Sequence, residues 1–331
     1  MFAFVAVLVG IVVPSEARSA ARAGYRRRVR PLDLPFSRAA HDRAALRRTE
    51  PCLVDDLRKE PGTRVLLVRG PRVATSGQRV ALFSPDDVAH LPAASYLFLG
   101  EADGVAYLAA VLPDEEPGAE GATRLTEDVA WVSLRTLDAP DLEHGLAVEA
   151  IALTQWHAVY THCPRCGAET EVTQGGWVRH CPTDGSNHFP RTDPAVIMAI
   201  TDADDRLLLA RGAQWAPGRR SVLAGFVEPG EGLEQAVVRE TREEVDVVVD
   251  PGSVEYRGSQ SWPMPASLML GFRARATTTA LVRQEDEIAE ADWFTRAQLA
   301  TAVADGVLGL PGRASIARAL VEEWYGGRID D

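Results

Sequence analysis

A chain of 331 residues with 46% hydrophobic and 25% charged content has the composition of a globular protein of two or three domains. Its net charge of −12 excludes a non-specific nucleic-acid binder, which needs a cationic footprint, but leaves recognition of one nucleotide in a pocket open. Four cysteines in so long a chain exclude a disulfide-stapled secreted scaffold.

Residues 2–13, FAFVAVLVGIVV, form an apolar run too short for a bilayer, which takes about twenty residues. No basic residue precedes the run, as one would in a secretory signal. An arginine cluster follows, and residues 1–50 carry ten Arg against Glu16, Asp33, Asp42 and Glu50. Residues 1–30 are read as a non-structural extension, with the working protein starting near Pro31, off the membrane and in the cytoplasm. Residues 31–158 read as a smaller α/β domain, with strands expected at 64–68, 80–83, 96–99, 105–111 and 129–134 and a helix over 142–160. No catalytic constellation stands out there, and Cys52 reads as a small apolar filler.

Residues 159–190 contain Cys163-Pro164-Arg165-Cys166 and then Cys181-Pro182-Thr183-Asp184. Two knuckles separated by a hairpin-sized insert are the spacing of a zinc ribbon. Three thiolates leave one tetrahedral position to fill. Asp184 stands where a second C-x2-C would place it, and His188 is the rival, imidazole being the better zinc ligand. The competing reading is a ribbon that keeps its packing without its metal.

Residues 191–326 read as a mixed sheet with helices packed across it, an α+β arrangement. Strands are expected at 196–200, 207–210, 221–226, 247–249, 254–257, 268–274 and 289–294, with helices over 295–303 and 315–324. Within this segment residues 225–247, GFVEPGEGLEQAVVRETREEVDV, pass from a Gly/Pro-rich turn into a helical pattern. Glu240, Glu243 and Glu244 stand at i, i+3 and i+4 and share one face. Like charges so placed cost about 0.2–0.5 kcal/mol per pair. A divalent cation converts them into ligands, since Mg²⁺ prefers hard carboxylate oxygens and is commonly shared with phosphates. Downstream, SQSWPMPAS over 259–267 combines two X-Pro steps, which extend the preceding backbone, with one large aromatic and several polar side chains.

The spacing G-x5-E-x7-R-E-x2-E-E, filled by Gly225, Glu231, Arg239, Glu240, Glu243 and Glu244, resembles the Nudix box. Thr241 stands where an aliphatic residue is usual and Asp246 where a glycine usually ends the helix. The 259–267 array is similar to the SQPWPFPxS array of the NADH pyrophosphatase branch of the Nudix hydrolases, with Ser261 for a proline and Met264 for a phenylalanine. That branch also carries a zinc ribbon ahead of the Nudix domain and a smaller N-terminal domain, so the resemblance spans about 31–325, with details like those of actinobacterial members. It implies a Nudix fold, a mixed sheet sandwiched by helices, and hydrolysis of the pyrophosphate of NAD(H) to nicotinamide mononucleotide and AMP. Removal of NAD caps from RNA 5′ ends is implied by the same chemistry.

Carried over position by position, the resemblance implies Mg²⁺ or Mn²⁺ ligands at Glu240, Glu243, Glu244 and Glu287, with the carbonyl of Ala224 beside them. The general base falls to Glu243 or Glu244, and Arg239 orients Glu231. Zinc is implied at Cys163, Cys166, Cys181 and Asp184. Substrate contacts are implied at Gln260, Ser261, Trp262, Pro263, Met264, Pro265, Ala266, Ser267 and Ala317, with Phe189 and Phe226 suited to stacking on a base. A homodimer is also implied. Two other functions compete: a broader pyrophosphatase acting on ADP-ribose or other ADP-linked compounds, and a nucleotide-sensing module that binds without cleaving. The second predicts loss of box carboxylates, and this chain keeps all of them.

Overall fold

The structure is a computed structural model describing residues 32–330 apart from Asp33, Ala39, Ala94 and 115–128; the expected extension over 1–30 lies outside the described residues. Short apolar runs bounded by turns build the first sheet. Its strands are β1 (Arg64–Arg69), β2 (Arg72–Ser76), β3 (Arg79–Val80), β4 (Leu82–Phe83), β5 (Ser95–Ala102), β6 (Val105–Leu112) and β7 (Ala130–Ser133). They lie in the order β3-β2-β1-β6-β5, with β4 added to β1 and β7 to β2. Among the described strands of this sheet only β1 and β6 run parallel. The sequence reading missed β2, which leaves β1 through the two-residue Gly70-Pro71 turn and carries only five residues.

Alternation along these strands fills two cores. Val65, Leu67, Phe98 and Leu108 pack with Leu53 and Leu57 of α1 (Leu53–Leu57) and Val88 of α2 (Pro85–Val88). Leu66, Val68, Leu97 and Leu99 face the other way, onto Leu146, Ala150, Ile151 and Leu153 of α3 (Asp141–Val159). Buried nearly all round, α3 must satisfy its own polar groups. Glu143 accepts from the Val80 amide (2.9 Å) and from Arg79, and Glu149 pairs with His41 at 2.8 Å.

The ribbon is a three-stranded sheet of β8 (Glu171–Thr173), β9 (Val178–His180) and β10 (Asn187–His188) in the order β10-β9-β8. It is keyed to the first sheet where Trp177 Nε1 donates to the Phe98 carbonyl (2.8 Å). His157, near the end of α3, lies 2.8 Å from the Gly176 carbonyl and 3.1 Å from an Arg179 nitrogen. Burial pushes its pKa down to about 4, so near neutral pH it acts as an uncharged packing and hydrogen-bonding group.

The third segment centres on β11 (Asp193–Thr201), which is buried along most of its length. It is flanked by β12 (Leu207–Gly212), β13 (Leu223–Phe226), β14 (Glu255–Trp262), β15 (Ser267–Arg275) and β16 (Ile288–Phe294). The order is β14-β15-β11-β12-β16, with β13 on β11; β11 and β15 are parallel. Val196, Met198 and Ile200 face Ala236, Val237 and Val245 of α4 (Leu233–Val245). Ile197 and Ala199 face Leu299 and Val303 of α5 (Arg296–Ala304) and Ile316, Leu320 and Val321 of α6 (Ile316–Tyr325). A mixed sheet is thus sandwiched by helices, as the sequence leads one to expect. The exception is 247–249: Val247 and Val249 are buried in the core, but Val249 makes only an isolated bridge to Ala276. No described helix is long and apolar enough to cross a membrane.

Candidate active site and zinc ribbon

The box helix α4 begins where the Gln235 side chain accepts the Gly232 amide (3.0 Å), and ends on Asp246 in the left-handed region at φ 59°. Aspartate tolerates that conformation better than most residues, and here Arg242 also holds its carboxylate at 2.8 Å. Thr241 is fully buried and spends its hydroxyl on the Val237 carbonyl (2.8 Å), so its methyl packs where an aliphatic residue would. Both departures from the box pattern therefore have local structural solutions.

Arg239 gathers the carboxylates. Its Nε and Nη2 donate to the two oxygens of Glu231 (2.8 and 2.9 Å) in a bidentate fork. Nη1 donates to Glu240 and Glu243 (2.8 Å each), and Nη2 also reaches the Phe226 carbonyl (2.9 Å). Those Arg239 hydrogen bonds hold the Glu231 carboxyl below the usual range. The loop before the helix and the helix face are thereby locked together. Gly225 is required by close approach: a Cβ there would stand 1.9 Å from Glu240 Cδ.

Glu244 is set apart. It is 7% exposed, its Oε2 has no hydrogen-bond partner, and burial followed by the charges of Glu240 and Glu287 raises its pKa from 4.5 to about 8. Burial is also the first cause raising Glu240, opposed by Arg239. A buried carboxylate oxygen without a partner, facing two other carboxylates, is what a hard divalent cation would satisfy. The donor set fits Mg²⁺ or Mn²⁺.

Glu244 and Glu287 open into a cavity of about 850 Å³, together with Ala224, Trp262 and Ala317. Of the sequence-predicted residues, the structure brings these five to the lining of one cavity. Glu240, Glu231 and Arg239 stand behind them, and Glu243 lies at the half-exposed edge. The array over 259–267 is the end of β14, a tight turn, and the start of β15. Ser261 and Trp262 pair with Leu268 and Ser267 across the hairpin. Pro263 is buried, Met264 and Ala266 half-buried and Pro265 exposed. Gln260 differs from the expectation of a nucleotide contact. It is fully buried, donating to the Ala314 carbonyl (2.7 Å) and accepting from the Ile316 amide (2.8 Å), so it fixes the start of α6. Phe189 and Phe226, 65% and 60% exposed, do not line the cavity.

Sequence reasoning missed two further residues of the cavity lining, Phe36 and Arg135. Phe36 stacks on Trp262 with ring centroids 5.6 Å apart, and the Arg135 guanidinium lies 5.3 Å from the same ring. Neither belongs to a local motif, so no local signal could have revealed them. Residues 214–216 and 219–220 complete the rim.

In the ribbon, ligand atoms of Cys163, Cys166, Cys181 and Asp184 all lie within 4.8 Å of one another. The two knuckles match. In each, a glycine four residues after the first cysteine, Gly167 (φ 78°) or Gly185 (φ 74°), donates its amide to that cysteine's carbonyl at 2.9 Å. Asp184 therefore occupies the place that Cys166 holds in its own knuckle. Hydrogen bonds from Ser186 keep the Asp184 carboxyl charged well below its usual range. His188 stays outside the four, with Nε2 3.1 Å from Ser186 Oγ. Three thiols and a charged carboxylate fit a structural zinc ion.

Comparison with known proteins agrees with this geometry. Residues 191–309 match the NUDIX domain profile and 160–189 the NADH pyrophosphatase zinc ribbon domain profile. Over 276 residues the chain is 39% identical to the NAD-capped RNA hydrolase NudC of Mycobacterium tuberculosis, covering 80% of this chain and 86% of that protein. The chain belongs to the Nudix hydrolase family, in the branch with the NADH pyrophosphatase ribbon. This Nudix hydrolase is also 38% identical to the NAD-capped RNA hydrolase NudC of Stutzerimonas stutzeri, over 72% of this chain and 80% of that one. Against the NAD-capped RNA hydrolase NUDT12 of Macaca fascicularis it is 39% identical, over 57% of this chain and 43% of that protein.

Proposed function

We propose that this chain hydrolyses the pyrophosphate bond of NAD(H), giving nicotinamide mononucleotide and AMP, and removes NAD caps from RNA 5′ ends. The observation that carries the reading is one cavity of about 850 Å³ with Glu244 and Glu287 on its wall and Trp262, Phe36 and Ala317 beyond them. That volume lies within the usual range for small-molecule sites. A carboxylate cluster beside an aromatic wall suits a pyrophosphate flanked by nucleosides.

Glu240, Glu243, Glu244 and Glu287 would hold Mg²⁺ or Mn²⁺, with the Ala224 carbonyl beside them. When bound, such a cation offsets phosphate charge and lowers the pKa of a water. Glu244, or Glu243 at the edge, takes the proton of the attacking water, while Arg239 and Glu231 fix the helix face that carries both. Trp262 and Phe36 exclude solvent from one side of the bond, and Arg135 adds positive charge there. Zinc, held by Cys163, Cys166, Cys181 and Asp184, staples the ribbon. A homodimer would give the exposed Phe189 and Phe226 a surface to pack against or a neighbouring site to enter; sedimentation velocity at a monomer mass would remove that element. Localisation in the cytoplasm belongs to the same proposal.

The test is incubation of purified protein with NADH and Mn²⁺ and identification of the products by mass spectrometry. Two mononucleotides are expected, and intact NADH would overturn the reading. Commitment of both ends of the Gln260 amide to backbone removes one expected discriminating contact and favours the second reading, broader action on ADP-linked compounds. Competition among NADH, NAD⁺ and ADP-ribose separates the two.

A further inference from the structure

Residues 206–227 hold four arginines and no carboxylate, in a chain of net charge −12. Three are engaged: Arg206 with Asp202 (2.6 Å), Arg211 with Glu290 (2.6 Å), and Arg220 with Glu290 and Asp292. Arg219 is exposed, lines the cavity, and makes no ion pair among the described residues. Trp215 lines the same rim and is 45% exposed. Its indole leans on Gly212, where a Cβ would meet Cε2 at 3.3 Å, and the next amide, Ala213, donates to the Glu287 carbonyl at 2.8 Å.

The loop carrying both residues is tied down. The Gly309 amide donates to the Gly218 carbonyl (2.9 Å), and the Arg220 amide to the Gly309 carbonyl (3.0 Å). Gly218 sits at φ 82°, and a Cβ on it would strike the Val307 carbonyl at 2.9 Å. A cation and a flat apolar face are thus held in fixed relation next to Glu287. Elsewhere in the lining Trp262 packs against Phe36, with the buried Gln260 two residues before it in β14. Trp215 and Arg219 border the cavity with exposed side chains, so a dinucleotide continued through a 3′-oxygen into a polynucleotide can leave past the loop.

We infer that the loop over 214–220 is the exit track for the RNA chain of a capped substrate, an inference that rests on the NAD-cap reading above. Trp215 stacks on the first base beyond the cap, and Arg219 pairs with the phosphate that joins this base to it. Stacking on an aromatic and pairing with a phosphate are both tolerant of sequence, so the track selects single-stranded RNA without selecting a base.

The experiment compares kcat/KM for NADH and for a short NAD-capped single-stranded RNA in wild type, Trp215→Ala and Arg219→Glu. The ratio of RNA to NADH should fall about tenfold in each variant. The log–log salt dependence of RNA turnover should flatten by about 0.7 in Arg219→Ala, one single-strand phosphate contact. An unchanged ratio in both variants overturns the track. Wild type that cleaves NADH but not the capped RNA also overturns it while leaving dinucleotide hydrolysis standing; wild type that cleaves neither overturns the proposed function as well. Should Trp215→Ala unfold early, Trp215→Phe, expected to keep the ratio, and the exposed Arg219→Glu decide the matter.

Discussion

Glu244 meets two opposed demands. It is buried where it borders the cavity, and burial beside Glu240 and Glu287 raises its pKa to about 8 and leaves Oε2 without a partner. A divalent cation bound there would resolve the conflict, which makes the residue a candidate for chemistry more than for packing. Replacing it with Gln keeps the shape and removes the charge. Glu244→Gln should lower kcat by at least about two orders of magnitude, the scale for losing a general base, with an unchanged circular dichroism spectrum. Near-normal turnover would sink the assignment. Gly225→Ala makes the complementary point, since its methyl would stand 1.9 Å from Glu240 Cδ and displace a carboxylate. A loss of about tenfold or more in kcat is expected from such misplacement, read by steady-state assay at saturating metal.

At the scale of elements, two fastenings decide whether helices and knuckles stand where the site needs them. Gln260 ties β14 to the first turn of α6 through both ends of its amide. Gln260→Ala leaves a buried amide and a buried carbonyl unpaired, and at about 1–3 kcal/mol per group the melting temperature should drop by several degrees. An unshifted melt would show that water replaces the side chain. In the ribbon, the matching glycine turns give Asp184 the position of Cys166. Metal analysis should find zinc retained in His188→Ala and lost or weakened in Asp184→Ala; the reverse result would reassign the fourth ligand.

For the whole molecule, a cation held by the carboxylate cluster would couple metal, protons and stability. The folded pKa of Glu244 lies above its ordinary 4.5, so the folded state holds a proton that the unfolded state has released. Its contribution to stability is fully present below 4.5 and is lost as pH rises toward about 8. Metal-free protein should therefore lose melting temperature between pH 5 and 8, and Mg²⁺ should restore more at pH 8 than at pH 5. Glu244→Gln should flatten both trends. Equal Mg²⁺ effects at the two pH values would place the cation elsewhere. Two hydrogen bonds tie the N-terminal described residues to β14: the Leu32 amide donates to the Arg257 carbonyl (2.6 Å) and Ser37 to that of Ser259. Trp262 and Ala314 thus pack against the core of the first sheet.

The box, the ribbon knuckles ahead of it and most strands were legible in the string of residues. Helical spacing, metal-ligand spacing and the alternation of buried residues are local patterns that survive without knowledge of the fold. Thr241 and Asp246 looked irregular only because their remedies, a back-bonded hydroxyl and a left-handed cap, are invisible in a string of letters. Relations between distant segments, by contrast, emerge only in the folded chain. Gln260 passed from a nucleotide contact to a clamp on α6, and Phe189 and Phe226 were left outside the cavity. Phe36 and Arg135 reach it from segments with no motif of their own. Such contacts depend on which faces meet, and that is fixed by the packing of whole sheets and helices rather than by any run of neighbouring residues.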